Sequence, residues 1–137
     1  MSNVHTINSF IGLQSYDVVL WKRHHKQWIE IWLEPRQRVW RCMGCGRSYA
    51  SAYNYLWTRL RDLDVASHRV WLWVLRCRVD CVTCGIRRNK LSLAREHARC
   101  TRRFERQLFE LTDGMTVTKV ATMTQTTWRL VREAEIH

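Results

Sequence analysis

The chain has 137 residues, of which 46% are hydrophobic, a size that suits one domain or two small domains sharing a core. The low numbers of glycine (five) and proline (one) argue against a flexible linker or tail. The chain contains no run of about 18 apolar residues, so no membrane span is predicted. Residues 1–6 lack the features of a secretory signal, and the net charge of +11 favours a polyanionic partner, most often nucleic acid.

Strand-like sequence dominates the first two thirds of the chain. Residues 15–34 alternate between apolar or aromatic and charged side chains, which is typical of an antiparallel hairpin. Its polar break, 23–26, contains His24 and His25, which are interpreted as turn residues rather than metal ligands. Pro35 ends the second strand because it cannot donate a ladder hydrogen bond. Further strands are predicted in three later runs: 39–41, 49–63 and 69–76.

Two Cys-x-x-Cys-Gly stretches form a repeat within this strand-rich part. Their cysteines are Cys42, Cys45, Cys81 and Cys84. Four thiolates in two such knuckles favour a closed, tetrahedral, structural zinc site. The glycine after each pair allows the backbone a positive φ. The 35 residues between the pairs exceed the roughly 15–20 of short ribbons, so the insert is predicted to carry structure of its own.

Other uses of the cysteines are weighed against zinc. A disulfide framework is typical of secreted proteins, whereas clustered cysteines in a reducing cytoplasm usually bind metal. A redox-active pair would sit at a helix N-terminus after a strand, but here both pairs follow strand-like runs. Cys77 and Cys100 fall outside the repeat and are interpreted as small, semi-buried hydrophobic residues.

Positive charge is concentrated in residues 87–103. Glu96 is the single acidic residue in this segment. Its basic residues are Arg87, Arg88, Lys90, Arg95, Arg99, Arg102 and Arg103. A phosphate backbone would be attracted most strongly here. The alternative is a solvated basic surface without a partner.

Three short helices are predicted after the basic segment. Thr101 is interpreted as the N-cap of the first helix and Gly114 as its C′ residue. Thr116 is expected to cap the second helix, and a polar turn at 124–126 leads to the third. Apolar periodicity predicts these inward positions: Phe104, Leu108, Leu111, Val117, Val120, Ala121, Val131 and Ala134.

The last two helices, with a tight turn and small Ala121 at their crossing, describe a helix-turn-helix. A generic three-helix cap over the ribbon is the alternative. In a helix-turn-helix the third helix enters the major groove, where arginine suits guanine and glutamine suits adenine. The predicted base-facing residues are Gln125, Thr127, Trp128, Arg129 and Arg132, with Trp128 facing either inward or a thymine methyl. The predicted phosphate-binding residues are Arg87, Arg88, Lys90, Arg102 and Arg103.

The order of these parts resembles the N-terminal region of ISL3-family bacterial transposases. The residues that carry the resemblance are the two Cys-x-x-Cys-Gly knuckles, Arg61-Asp62-Leu63-Asp64, Val70-Trp71-Leu72, Thr101-Arg-Arg-Phe104-Glu105, Val120-Ala121, Thr127-Trp128 and Val131. The resemblance implies that a zinc ribbon and a helix-turn-helix bind the terminal inverted repeats of a transposon. It also implies a DDE domain, which catalyses strand transfer, after the region matched here.

The chain departs from the family pattern at three places. It stops at His137, so no catalytic carboxylate triad is carried over, and the chain is expected not to be an enzyme. Residues 91–94 read Leu-Ser-Leu-Ala where relatives often have Pro-Trp-Ala. Gln125 occupies a turn position at which many helix-turn-helix units have glycine.

The predicted fold class is α+β, with a β-rich four-Cys zinc ribbon and hairpin in 1–90. A basic linker and three-helix helix-turn-helix are expected in 91–137. The predicted function is the DNA-binding module of an ISL3-like transposase, truncated or separately encoded, with one structural Zn²⁺ and the double-stranded DNA of transposon ends as partner. A bacterial cytoplasmic, nucleoid-associated protein is expected, with a second copy or a full-length transposase as candidate protein partner. The alternatives are an RNA-binding or ribosome-associated zinc ribbon, a thiol oxidoreductase and a stand-alone repressor of transposition.

Overall fold

The computed structural model describes residues 13–25 and 27–136. Residues 1–12, Lys26 of the predicted turn and His137 lie outside the described residues. Within the described ranges there are seven strands and three helices: β1 (Tyr16–His24), β2 (Trp28–Pro35), β3 (Trp40–Arg41), β4 (Ser48–Tyr49), β5 (Asn54–Val65), β6 (His68–Cys81), β7 (Gly85–Arg88), α1 (Arg102–Leu111), α2 (Val117–Thr124) and α3 (Trp128–Ile136). The predicted α+β composition, with a sheet-rich part before three helices, is confirmed.

The main sheet has the strand order β1-β2-β6-β5, and β7 pairs with the far end of β6. Strands β1 and β2 form the predicted antiparallel hairpin. The run predicted at 49–63 is divided into β4 and the long strand β5, which pairs antiparallel with β6. Strand β2 pairs parallel with β6, Trp28 opposite Arg69 and Leu33 opposite Val74. This parallel pairing joins the N-terminal hairpin to the centre of the sheet.

One face of the sheet carries its apolar core, because alternate residues of a strand point to the same side. The core includes Ile31, Leu33, Leu60, Val70, Leu72 and Val74. The segment after β7 covers this face with Leu91 and Ala94, both buried. The predicted basic linker is therefore also a packed cover, since its apolar side chains shield the sheet from water while its arginines stay near the surface.

The opposite face of the sheet is lined by tryptophans and basic side chains. The rings of Trp32 and Trp73 stack across neighbouring strands, with centroids 6.1 Å apart. The Arg59 guanidinium lies 4.4 Å from the Trp71 ring centroid, a cation–π contact. Lys22 lies 5.5 Å from the centroid of Trp32. Trp32, Trp71 and Trp73 are half-buried on this face.

The three helices surround a second apolar core. Its most buried members include Phe104, Leu108, Val120 and Val131, as predicted from the helical spacing. Leu111 and Val117 are partly buried against the same cluster. The prediction for Gly114 is wrong: α1 ends at Leu111 with Thr112 as its C-cap, so the glycine lies beyond the C′ position.

Candidate metal centre and nucleic-acid interface

Each pair of cysteines lies at a turn between two paired strands. Cys42 and Cys45 belong to the connection between β3 and β4, which form their own two-stranded sheet. Cys81 ends β6, and Cys84 precedes β7 in the following hairpin. An isolated bridge pairs Cys42 with Asn89, just after β7, and this contact brings the two knuckles together.

The four sulfur atoms form one compact group. The Sγ atoms of Cys42, Cys45, Cys81 and Cys84 all lie within 4.8 Å of one another. The Cys45 and Cys81 sulfurs are 3.5 Å apart, well beyond the roughly 2.05 Å of a disulfide. Four thiolates about 2.3 Å from one zinc ion in a tetrahedron would be separated by about 3.8 Å. The donor set therefore fits a four-coordinate metal ion, as the repeat predicts.

Glycines allow the two knuckles to approach this closely. Gly46 and Gly85, which follow the second cysteine of each knuckle, have φ of +78° and +77°, as predicted. Gly44 has a different role that the spacing did not reveal. A Cβ at Gly44 would lie 2.9 Å from Cys84 Sγ, so any side chain here would push the two knuckles apart.

The four thiols also influence each other's charge. The pKa of Cys81 is lowered to about 6, chiefly because the Tyr49 hydroxyl donates a hydrogen bond to its sulfur. The same hydroxyl accepts a hydrogen bond from the Val82 backbone N–H, at 3.1 Å. Burial, followed by hydrogen bonds with Cys45 and Cys42, raises the pKa of Cys84 to about 12. Four thiolates cannot ionise together in this volume without a cation, which a divalent metal ion would supply.

Cys77 and Cys100 are buried and take no part in the sulfur group. Burial raises the pKa of Cys77 to about 11 and that of Cys100 to about 12. A neutral thiol is a poor nucleophile and a poor ligand. Both residues are members of apolar clusters, and they are fully buried rather than semi-buried as predicted.

Each of the three helices begins with a threonine cap. The hydroxyl oxygens of Thr101 and Thr116 accept hydrogen bonds from the backbone N–H three residues later, confirming both predicted caps. Thr127 does the same for α3 through the Leu130 N–H, at 3.1 Å. Thr127 was predicted to face bases, so the structure adds a capping role for its hydroxyl.

The turn between α2 and α3 is closed by Gln125. This residue has φ of 55° and ψ of 49°, the left-handed conformation that glycine adopts most easily. The next residue, Thr126, donates its backbone N–H to the Ala121 carbonyl at 3.0 Å. A tight turn at 124–126 is therefore present, with a glutamine in the position usually given to glycine.

The predicted base-facing residues share an exposed surface at the start of α3. Trp128 is 53% exposed, which resolves its predicted ambiguity in favour of solvent. Arg129 is exposed and has no ion pair among the described residues. Arg132 is exposed but pairs with Glu135 at 2.7 Å, and its guanidinium lies 5.9 Å from the Trp128 ring centroid. Gln125 and Thr127 are exposed as well.

Most of the predicted phosphate-binding residues are also exposed. Arg87 and Arg88 lie on β7, Lys90 follows it, and Arg102 opens α1. Arg103 differs because its guanidinium pairs with the buried carboxylate of Asp62, with Nε 2.8 Å from Oδ1. The structure thus gives Arg103 an internal ion pair.

Asp62 joins the sheet to the helices. Its side chain is 1% exposed, and besides Arg103 it accepts a hydrogen bond from the Thr101 hydroxyl at 2.7 Å. Next to it, the Arg61 guanidinium lies 4.8 Å from the Phe104 ring centroid. Two stretches singled out in the sequence, Arg-Asp-Leu-Asp at 61–64 and Thr-Arg-Arg-Phe-Glu at 101–105, are therefore partners in one junction.

Comparison with known proteins defines the class of the helical unit. Residues 90–134 match the family described as the helix-turn-helix domain of transposase family ISL3. The match begins just after β7 and includes all three helices almost to the end of α3. The helical part is therefore similar to the DNA-binding domain of a transposase.

A longer similarity extends into the sheet. Over 129 residues the chain is 30% identical to the transposase for insertion sequence element IS1001 from Bordetella parapertussis. The alignment covers 92% of this chain and 32% of that transposase, so the chain spans about a third of its relative. The predicted resemblance to ISL3-family transposases is confirmed. No solved structure gives a significant match. Among the described residues, no helix is long and apolar enough to cross a membrane.

Proposed function

We propose that this chain is the DNA-binding module of an ISL3-like transposase, truncated or separately encoded, and that it recognises the terminal inverted repeats of a transposon. The observation that carries the proposal is the match of residues 90–134 to the transposase helix-turn-helix family. This match coincides with a three-helix unit whose last helix exposes a polar and cationic surface. Such a surface is suited to reading base edges in the major groove.

In this proposal α3 is the recognition helix. Arg129 is the strongest candidate for a base contact, because its guanidinium is exposed and has no carboxylate partner among the described residues. Gln125, Thr127 and Trp128 flank it at the start of the helix. Arg132 would have to leave Glu135 to reach a base, so its contribution is expected to be smaller.

The four-Cys cluster is proposed to hold one structural Zn²⁺ within a ribbon domain of residues 1–90. The supporting observation is a closed set of four sulfur ligands, which leaves no open position for a substrate. Residues 91–137 would supply the basic linker and the helix-turn-helix. When bound, the metal would neutralise the thiolates and fix the two knuckles to each other.

Charge outside α3 is proposed to hold the phosphate backbone. Arg87, Arg88, Lys90 and Arg102 are exposed and lie on either side of the boundary between the two proposed domains. Arg103 is left out of this set because it pairs with Asp62. These residues are proposed to bind DNA, and no cleavage or transfer of DNA strands is proposed for this chain.

The first experiment is a binding selection with the zinc-loaded chain on a random duplex library, with an RNA pool in parallel. Enrichment of one duplex motif is expected, and this motif should occur at transposon ends. Enrichment from the RNA pool alone would instead favour an RNA-binding ribbon. Binding of duplex without any enriched motif would overturn sequence recognition by α3.

Arginine variants test the role of α3 directly. Arg129→Ala is expected to relax the base preference at one position, with a loss of about 1–3 kcal/mol on the selected duplex. Arg106→Ala removes an exposed arginine of α1 and serves as the control of equal charge. An equal loss on all sequences would reassign Arg129 to a phosphate contact.

A further inference from the structure

A groove of about 510 Å³ lies between the core face of the sheet and the segment that covers it. Strands β5 and β6 form one wall, and residues 90–102 form the other. Met43 of the first knuckle lines the groove, and so does Arg102 at the start of α1. The groove therefore contacts both the metal end and the helical unit.

The lining of this groove is strongly basic. Glu96 is its single acidic residue. Apart from Arg59, the basic residues that line the groove are Arg76, Arg88, Lys90, Arg95, Arg99 and Arg102. Arg95 is neutralised by Glu105, at 3.0 Å. The other five form no ion pair with any described carboxylate. Arg59 also borders the groove, but its guanidinium lies over Trp71 on the opposite face.

Arg76 is the unusual member of this set, because it is only 6% exposed. Its guanidinium donates hydrogen bonds to the side-chain and backbone oxygens of Asn89, both of them neutral acceptors. Burial and then the nearby charge of Arg88 lower the pKa of Arg76. A buried cation is normally balanced by an anion, and here the described residues provide none.

We infer that this groove binds a phosphate of the nucleic-acid backbone, with Arg88 and Arg99 as direct contacts and Arg76 as the buried charge behind them. The inference rests on the proposed DNA-binding function and extends it. The sheet would then contact the duplex directly, in addition to supporting the helices.

The groove runs along β6, and its two ends lie at different distances from α3. Arg99 is at the nearer end, since its carbonyl accepts a hydrogen bond at 3.0 Å from the backbone N–H of Arg61, opposite Trp71. Gln125 borders a surface pocket with Ser67 and Arg69, at the β5–β6 turn. Arg76 lies seven residues further along β6 than Arg69, and at about 3.3 Å per residue this is roughly 23 Å. Along a duplex this length corresponds to about seven base pairs at 3.4 Å each. With the duplex lying along β6, the Arg76 end of the groove would hold a second segment of backbone, about two thirds of a helical turn from the bases read by α3.

The test measures duplex affinity of the zinc-loaded full chain over a range of salt concentrations. Arg88→Ala and Arg99→Ala are each expected to weaken binding about 3- to 10-fold at 0.1 M salt and to reduce the salt slope by about 0.9. Arg23→Ala is the matched control, since Arg23 is exposed on the edge strand β1 and does not line this groove. It should change affinity less than about 2-fold by the same reasoning. Hydroxyl-radical footprints should lose protection on one flank in the groove variants only.

The outcomes separate this inference from the proposed function. Equal effects of Arg23→Ala and the two groove variants, with an unchanged footprint, would overturn the groove and leave recognition by α3 intact. If the wild-type chain binds no duplex, the proposed function fails. The groove is then judged by NMR titration with inorganic pyrophosphate, in which an unmoved Arg76 Nε–Hε signal would overturn it too.

Discussion

The metal end and the helical end of the molecule are held together by different physical means. At the metal end the buried cluster contains Trp40, Val79 and three cysteines, and strands β3 and β4 have only two residues each. At the helical end, Phe104 and Leu108 pack in an apolar core, and a threonine caps the N-terminus of each of the three helices. The small core at the metal end needs a cross-link, whereas the helical core gains further burial from Leu63 of β5.

The helical end is joined to the main sheet at a point distant from the cysteines, since Asp62 lies opposite Val70 whereas Cys81 ends the same strand β6. Asp62 of β5 binds both the cap residue Thr101 and the guanidinium of Arg103. Loss of metal should therefore spare the helices, loss of helical packing should spare the metal, and loss of Asp62 should weaken the attachment of the helices to the sheet.

The largest effect is expected from loss of a metal ligand. Cys42→Ser removes one of four sulfurs, and metal binding in small zinc domains contributes about 10 kcal/mol or more to folding. The variant should lose its bound zinc and the ordered knuckles, while methyl NMR signals of Val131 keep native positions. Elemental analysis and NMR measure both. Val82→Ser, an exposed change between two ligands, is the control, and full zinc content in Cys42→Ser would contradict the site.

A core truncation in the helices should have the opposite pattern. Phe104→Ala removes a fully buried ring and its contact with Arg61, at an expected cost of about 3–5 kcal/mol. The NMR signals of the helices should be lost at a lower denaturant concentration than in the wild-type chain, while the zinc content stays unchanged. Phe109→Ala on the same helix truncates a ring that is 48% exposed and should cost far less. Simultaneous release of zinc would show that the two ends fold as one unit.

The junction should be weaker than either core. Asp62→Asn keeps the shape of the side chain but removes the carboxylate charge that pairs with Arg103, at an expected cost of about 1–3 kcal/mol because Arg103 is partly solvated. Thermal unfolding followed by NMR should show lower stability of the helical end. Asp80→Asn, on an exposed position of β6, is the comparison of equal charge. Equal stability of the two variants would show that the ion pair between Asp62 and Arg103 does not stabilise the fold.

The smallest effect is a stabilisation. Gln125 holds a left-handed backbone, which costs an L-residue about 1–2 kcal/mol relative to glycine, so Gln125→Gly should raise stability by about 1 kcal/mol. Chemical denaturation measures the gain. Met123→Gly, within α2, should instead lower stability by about 0.5–1 kcal/mol. A loss in both variants would mean that the glutamine side chain stabilises the turn.

The sequence by itself determined the local features of this protein. The Cys-x-x-Cys-Gly repeat, the first hairpin and the threonine caps Thr101 and Thr116 depend on residues close together in the chain. Each has a conformational or chemical preference that short spacing reveals. The resemblance to ISL3-family transposases followed from the same short stretches, and the similarity to known proteins confirms it.

Only the tertiary structure decided how distant residues meet. Residues tens of positions apart are joined by the parallel pairing of β2 with β6 and by the Asp62–Arg103 ion pair. Folding also buries Arg76, a side chain that would otherwise be solvated. Strand alternation shows which side chains share a face, but it does not show which strand lies next to which. Charge counting likewise treats every arginine of 87–103 alike, whereas packing pairs Arg95 and Arg103 internally and leaves Arg88 and Arg99 facing an open groove.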